Sequence, residues 1–183
     1  MRTLNLILSG AALLLIAACG GGSSGGGGGS ATQSATALVY TSPADPTTWR
    51  LVADAASTPT HLVLDLMAPT GAAGLGVTLI LTTDNLGAQW AVVSGSSYAV
   101  QFPYPYPLVD VASTQGAALR VVVGQAAGPA FAYGSAPVLS VALDLAAGAL
   151  PGSVALSASQ CGHLGAAPPP VPVTVEVGSL QAQ

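Results

Sequence analysis

Cys161-Gly162-His163 is the arrangement in this 183-residue chain that could carry nucleophilic chemistry. In an extended strand, residues two apart point to the same face, so the thiol and the imidazole could meet and generate a thiolate nucleophile. The plainer reading is that Cys161 is buried as a small hydrophobe, and the rest of the chain supplies nothing to complete a catalytic set. His61 and His163 lie far apart, and neither has a second His or Cys at metal-ligand spacing. Glycoside hydrolysis needs two carboxyls flanking one bond, whereas the acids here are scattered over turns and solvent-facing strand positions. Asp84, followed by Asn85, reads as a turn residue whose carboxylate bonds local backbone N–H groups. No Gly-x-Ser-x-Gly elbow, phosphate-cradling loop or dinucleotide fingerprint occurs. The chain reads as noncatalytic, with no cofactor and no metal.

Binding chemistry has a better candidate in Phe102-Pro103-Tyr104-Pro105-Tyr106-Pro107. Three prolines hold the backbone extended and withhold N–H donors, which places the segment at an edge or in a loop. The alternation then sets Phe102, Tyr104 and Tyr106 on one side, and flat amphipathic rings are what protein and sugar surfaces use. The competing reading is that these rings cap the core beneath a long loop. Trp49 and Trp90 fall in strand candidates and are expected in the core.

The elements that must position these residues are strands. Apolar residues alternate with polar ones over 61–67 (Leu62, Leu64 and Leu66 inward, His61 outward), 77–82, 119–123 (Arg120 outward), 138–145 and 171–177. Weaker alternation marks 36–41, 48–53, 89–93, 98–102, 108–112 and 153–158. Turn signals such as Pro69-Thr70-Gly71, Gly128-Pro129 and Pro151-Gly152 punctuate them at sandwich or barrel spacing. These features predict an all-β fold, a two-sheet antiparallel β-sandwich over 36–183. One local alternative is a helix over the Ala-rich stretch 142–149.

Residues 60–160 resemble the cohesin type of jelly-roll sandwich. The resemblance rests on Leu62-Val63-Leu64-Asp65-Leu66, on Gly76-Val77-Thr78-Leu79-Ile80-Leu81 followed by an Asp-containing turn, on Leu86-Gly87-Ala88-Gln89-Trp90-Ala91-Val92-Val93, on Leu119-Arg120-Val121-Val122-Val123-Gly124, and on the late pair 138–145 and 153–158. It implies the architecture and a protein-binding role, since cohesins bind dockerins. No dockerin-contact residue can be matched, and no Asp-rich calcium loop is present. Carbohydrate-binding modules of related build share these spacings, so a glycan partner held by the aromatic segment is the alternative.

The N-terminus points to a membrane. Arg2, an apolar run over 4–18 and small residues before Cys19 make a secretory signal, too short and too interrupted for a spanning helix of roughly 20 apolar residues. Ile16-Ala17-Ala18-Cys19 resembles the lipobox of bacterial lipoproteins, which implies cleavage after residue 18 and acylation of Cys19. Several acyl chains hold stably where one does not. Gly20 in place of Asp at the following position resembles the outer-membrane sorting pattern. Cys161 would then be a lone thiol, with an intermolecular disulfide as its less ordinary fate. Residues 20–29 are eight Gly and two Ser, so 19–35 reads as a flexible tether reaching roughly 20–25 Å. The expected organisation is therefore a signal peptide (1–18), a lipidated Cys with tether (19–35) and the sandwich (36–183). Within 36–183, Arg50 and Arg120 face seven acids and no Lys, which excludes nucleic acid, because phosphate binding relies on clustered Lys and Arg. The anchor alone should then contact the membrane, leaving the domain to meet a protein or a glycan.

Overall fold

The computed structural model describes residues 33–91 and 97–183. Cys19 and the 20–29 tract lie outside the described residues. The first half of the described chain forms β1 (Leu38–Thr41), β2 (Trp49–Ala53), β3 (His61–Met67), β4 (Ala73–Gly74), β5 (Gly76–Thr83), β6 (Ala88–Trp90) and β7 (Tyr98–Val100). The second half forms β8 (Leu108–Gln115), β9 (Ala118–Gln125), β10 (Phe131–Ala132), β11 (Leu139–Leu145), β12 (Gly152–Val154), β13 (Leu156–Leu164), β14 (Val171–Pro172), β15 (Val175–Glu176) and β16 (Ser179–Ala182).

Two sheets make the sandwich. Sheet one runs β15-β2-β3-β11, with β6 and β7 sharing the far edge of β11; sheet two runs β14-β13-β5-β9-β8. The pairing is antiparallel except for β15 against β2, which is parallel. Two small sheets, β1-β16-β12 and β10-β4, complete the described strands. Alternation sorts the side chains: Leu51, Leu62, Leu64, Leu66, Leu139, Val141 and Leu143 of sheet one meet Val77, Leu79, Leu81, Leu119, Val121 and Val123 of sheet two, all buried. Trp49 and Trp90 are buried as expected, and the Trp90 indole N–H donates to the Ala117 carbonyl at 2.9 Å. That carbonyl belongs to the β8–β9 hairpin, whose first turn residue, Gly116, sits at φ +57°, a left-handed conformation that glycine adopts without cost.

The expected strand over 61–67 coincides with β3. Two other expected strands divide. The run 153–158 becomes β12 in a small sheet and β13 in sheet two, and the break falls at Ala155, whose N–H leaves the ladder for the Asp84 carboxylate at 3.0 Å. The run 171–177 becomes β14 on sheet two and β15 on sheet one. Pro172 has no N–H to continue a ladder; the Val173 N–H still reaches the Cys161 carbonyl at 3.0 Å, and Val175 then pairs with Trp49 across the sandwich. The Ala-rich stretch is strand to Leu145 and turn beyond, with no helix, because register with β3 fixes residues 139–144.

Asp84 closes the β5–β6 turn. Its Oδ1 accepts from the Leu86 and Gly87 amides at 2.9 and 3.1 Å while Oδ2 holds Ala155. Burial pushes its pKa up, but the backbone N–H donors outweigh burial and hold the carboxyl below its ordinary value. Asp84→Ala should therefore cost about 1–3 kcal/mol, the scale for stranded donors that had a charged acceptor, measured by thermal melts. A group depressed in the fold stabilises above its unfolded pKa and loses that contribution on acidification. The gap between wild type and variant should thus be full at neutral pH and close as pH falls below 3.8, the ordinary value.

Candidate functional site

Sheet two presents its outer face to solvent, and the ladder registers fix which side chains share it. One row across the strands reads Val109, Gly124, Gly76, Leu164; the next reads Val111, Val122, Thr78, Gly162; a third reads Ser113, Arg120, Ile80. Val109, Val111 and Val122 are 46%, 60% and 45% exposed, a concentration of open apolar surface on adjacent strands.

The glycines shape it. A Cβ on Gly76 would stand 2.4 Å from the Val123 carbonyl oxygen and 2.6 Å from the Gly124 Cα, so only glycine permits the approach of these two strands. The missing side chains leave a shallow apolar trough of about 210 Å³ between walls made by Val109, Val122, Leu164 and Pro170. A second depression of about 300 Å³ adjoins it across Thr78 and Val122 and ends at Arg120 and Gln160.

Charge is divided between the faces. Arg120 is the charged side chain in the three rows of sheet two. The outward rows of sheet one carry Arg50, His61, Asp65, Asp144 and Glu176. There His61 Nδ1 meets Asp144 Oδ1 at 2.6 Å across the β3–β11 ladder, which accounts for His61 on the outer face as one half of a cross-strand hydrogen bond. Asp65 is buried together with Ser140, whose hydroxyl donates to Asp65 Oδ1. Burial raises the Asp65 pKa, Ser140 lowers it in part, and the Asp54 carboxyl adds to the rise.

The aromatic segment divides. Phe102 and Tyr104 are half-buried and pack on Phe131 and Tyr133: Phe102 stacks on Phe131 at 4.9 Å between centroids, and Tyr104 meets Phe102 edge-on at 70°. They cap one end of the core and do not form a flat strip with Tyr106. Tyr106 is 42% exposed and lies over Gly128, where an added Cβ would stand 2.4 Å from the ring.

Beneath the cap, Tyr133 contacts Phe102, Phe131, Trp49 and His163, all at centroid distances of 5.3–5.9 Å. Among the described residues, the Tyr104 and Tyr133 hydroxyls, Gln125 Oε1 and His163 Nε2 are buried without a partner in hydrogen-bond geometry. Burial pushes the Tyr104 phenol up to about 12 and raises Tyr133 further; it lowers the His163 imidazole.

Cys161 and His163 do not make a nucleophile. The Cys161 thiol donates to the Ser159 carbonyl at 3.4 Å, burial raises its pKa, and it packs against the core. A low-pKa thiolate needs the opposite environment.

The outer face of sheet two was missed in the sequence reading. Its signal is the unbroken Val121-Val122-Val123 run in β9, where an apolar residue also occupies the outward position.

No protein-family model matches the chain, and no curated protein matches it. Among solved structures, the chain is similar to a type II cohesin domain from the cellulosome of Acetivibrio cellulolyticus, with a TM-score of 0.54 and 12% identity over 73% of this chain and 93% of that one. The fold is thus a cohesin-like β-sandwich, as the sequence resemblance implied.

Proposed function

We propose that residues 36–183 are a noncatalytic protein-interaction module that a bacterial cell displays on its outer membrane through acylated Cys19 and the Gly/Ser tether. The observation that carries the reading is the outer face of sheet two: Val109, Val111 and Val122 stand exposed around a glycine-floored trough, and the surrounding rows hold no carboxylate. Apolar surface collected on one face, with Arg120 as the charged side chain in its three rows and the carboxylates kept off them, suits a protein partner. The shared fold with a cellulosomal cohesin domain supports the same class of function. A glycan would want a planar strip of exposed rings, and of the three aromatic residues singled out only Tyr106 is open.

The test uses the full chain in its host envelope. Val122→Lys puts a charge at the centre of the face, and Leu150→Lys does so at an exposed loop residue elsewhere. Both positions are open, so both variants should melt within about 0.5 kcal/mol of wild type. A partner cross-linked to wild type and to Leu150→Lys should be lost with Val122→Lys; equal recovery with all three would sink the face. In the same cells Cys19→Ala should move the protein out of the membrane fraction and abolish palmitate labelling. Unchanged labelling would sink the anchor.

A further inference from the structure

The edge of sheet two is distinct from its face. Strand β8 is the last strand of that sheet, pairing with β9 along all eight of its residues, and among the described residues no backbone group hydrogen-bonds its other side. An antiparallel edge leaves alternate N–H and C=O groups pointing outward, a template for another strand. Proteins blunt such edges with Lys, Pro, bulges or a covering element. Among the described residues β8 carries no Lys, no Pro, no bulge and no covering element: its sequence is Leu-Val-Asp-Val-Ala-Ser-Thr-Gln, with Pro107 outside it, no irregularity in its register and Asp110 as its one charge. Exposed apolar residues also gather here, with Tyr106, Leu108, Val109 and Val111 within six positions.

The sole charge of the strand is turned aside. Asp110 alternates toward sheet one, where the Tyr98 hydroxyl of β7 donates to its carboxylate at 2.8 Å.

We propose that β8 pairs antiparallel with β8 of a second copy of this chain, joining two five-stranded sheets into one continuous sheet. The geometry restricts the register. Antiparallel pairing of identical strands requires a two-fold axis perpendicular to the sheet, which keeps outward residues outward, so the paired residue numbers must have an even sum. The central solutions place the axis at Val111 or at Ala112. The first sets Asp110 opposite Ala112 with its own copy on the diagonal, and the second sets it opposite Thr114 with its copy four residues away, so the like-charge penalty that opposes self-pairing of strands favours the axis at Ala112. A ten-stranded sheet is within the size that open twisted sheets reach. An eight-residue edge is about 27 Å long at about 3.4 Å per residue, which makes this a small interface of the weak, concentration-dependent class. The proposal does not depend on the partner-binding face, because it uses edge main chain where that reading uses outward side chains.

Sedimentation velocity on the full chain in detergent tests it, with Cys161→Ser in every variant to remove disulfide dimers. The mass should rise from one chain to two with concentration. Val111→Lys, at an exposed position, should hold the mass at one chain by setting two lysines opposite or diagonal at the axis, while Val122→Lys on the face should leave dimerisation unchanged. A residue on the axis lies about 4.5–5.5 Å from its copy between Cα atoms, within disulfide reach. Either Val111→Cys or Ala112→Cys should therefore give a reducible covalent dimer on mild oxidation, and Ile80→Cys should not; these arms decide the matter if Val111→Lys fails to fold. A single-chain mass at every concentration overturns the proposal, including the case where β8 instead captures an extended segment of a different protein. A dimer that survives Val111→Lys but is lost with Val122→Lys overturns it in favour of face-to-face packing of the troughs.

Discussion

Tyr133→Ala should destabilise the domain by about 3–5 kcal/mol, the range for truncating a buried aromatic residue, and Tyr133→Phe should stabilise it. The ring is 2% exposed and is the hub that Trp49, Phe102, Phe131 and His163 touch, so its loss opens a cavity between the cap and both sheets. The hydroxyl is a separate matter. The Gly76 main chain lies near it and opposes the rise that burial causes in its pKa, but outside hydrogen-bond geometry among the described residues, and removing a buried polar atom so poorly satisfied while keeping the ring relieves a desolvation cost of about 1–3 kcal/mol. For a domain of this size each kcal/mol moves the melting temperature by about 2–4 °C, so the two variants should shift in opposite directions by readily measured amounts. A destabilised Tyr133→Phe would mean that the hydroxyl is satisfied, and this account of the cap would be wrong.

Asp65→Asn should raise the stability at neutral pH by roughly 1–3 kcal/mol, the scale of relieving an imperfectly compensated buried polar group. Asn keeps an oxygen to accept from Ser140 and puts an amide beside Asp54 in place of a second carboxyl. The sign with pH follows from the raised pKa of Asp65: the folded chain holds this proton more tightly than the unfolded one, so the residue favours folding in acid and ceases to do so as pH rises through its folded value. The advantage of Asp65→Asn should therefore be largest at neutral pH, shrink as pH falls through the raised folded value and be complete in its decline by 3.8, the ordinary value. His163 acts the other way. Its lowered pKa means that the unfolded chain takes up the proton first, so its contribution is present above 6.5 and is lost as pH falls from there. Melts of wild type, Asp65→Asn and His163→Gln across this range separate the two groups; an Asp65→Asn gap that does not narrow in acid would refute the assignment.

How much of the molecule could be read in advance depended on whether one residue did one task. β3 was legible to its ends because Leu62, Leu64 and Leu66 point inward while His61, Val63 and Asp65 point outward with no interruption. β13 was truncated in the reading because a register shift between Ser159 and Gly162, with Gln160 at φ +47°, breaks the alternation midway. The valines at 171–177 misled for another reason. A chain that crosses from one sheet to the other keeps its period of two, so alternation alone cannot report the transfer; Pro172 was the clue. The trough was hidden because Gly76 and Gly124 fall just outside the alternating runs 77–82 and 119–123, whereas in the fold they lie within strands and set how closely these approach. Of the three rings in the Pro-aromatic segment, whose alternation correctly suggested a break from the ladder, two turn inward because Phe131 and Tyr133 offer them an apolar bed.

The first strand finds its partner in the last, β1 with β16, and β2, held by β3 on one side, takes β15 on the other. For a chain made from its N-terminus, this turns topology into timing. Leu38 to Thr41 and the outer side of β2 must wait as open edges until residues 175–182 emerge, so closure is a late event however quickly the intervening hairpins form, and long-range pairings of this kind are the slow ones. The interval before closure is when a chaperone or a protease has access, and any residue that shortens it guards the protein without adding to its final stability.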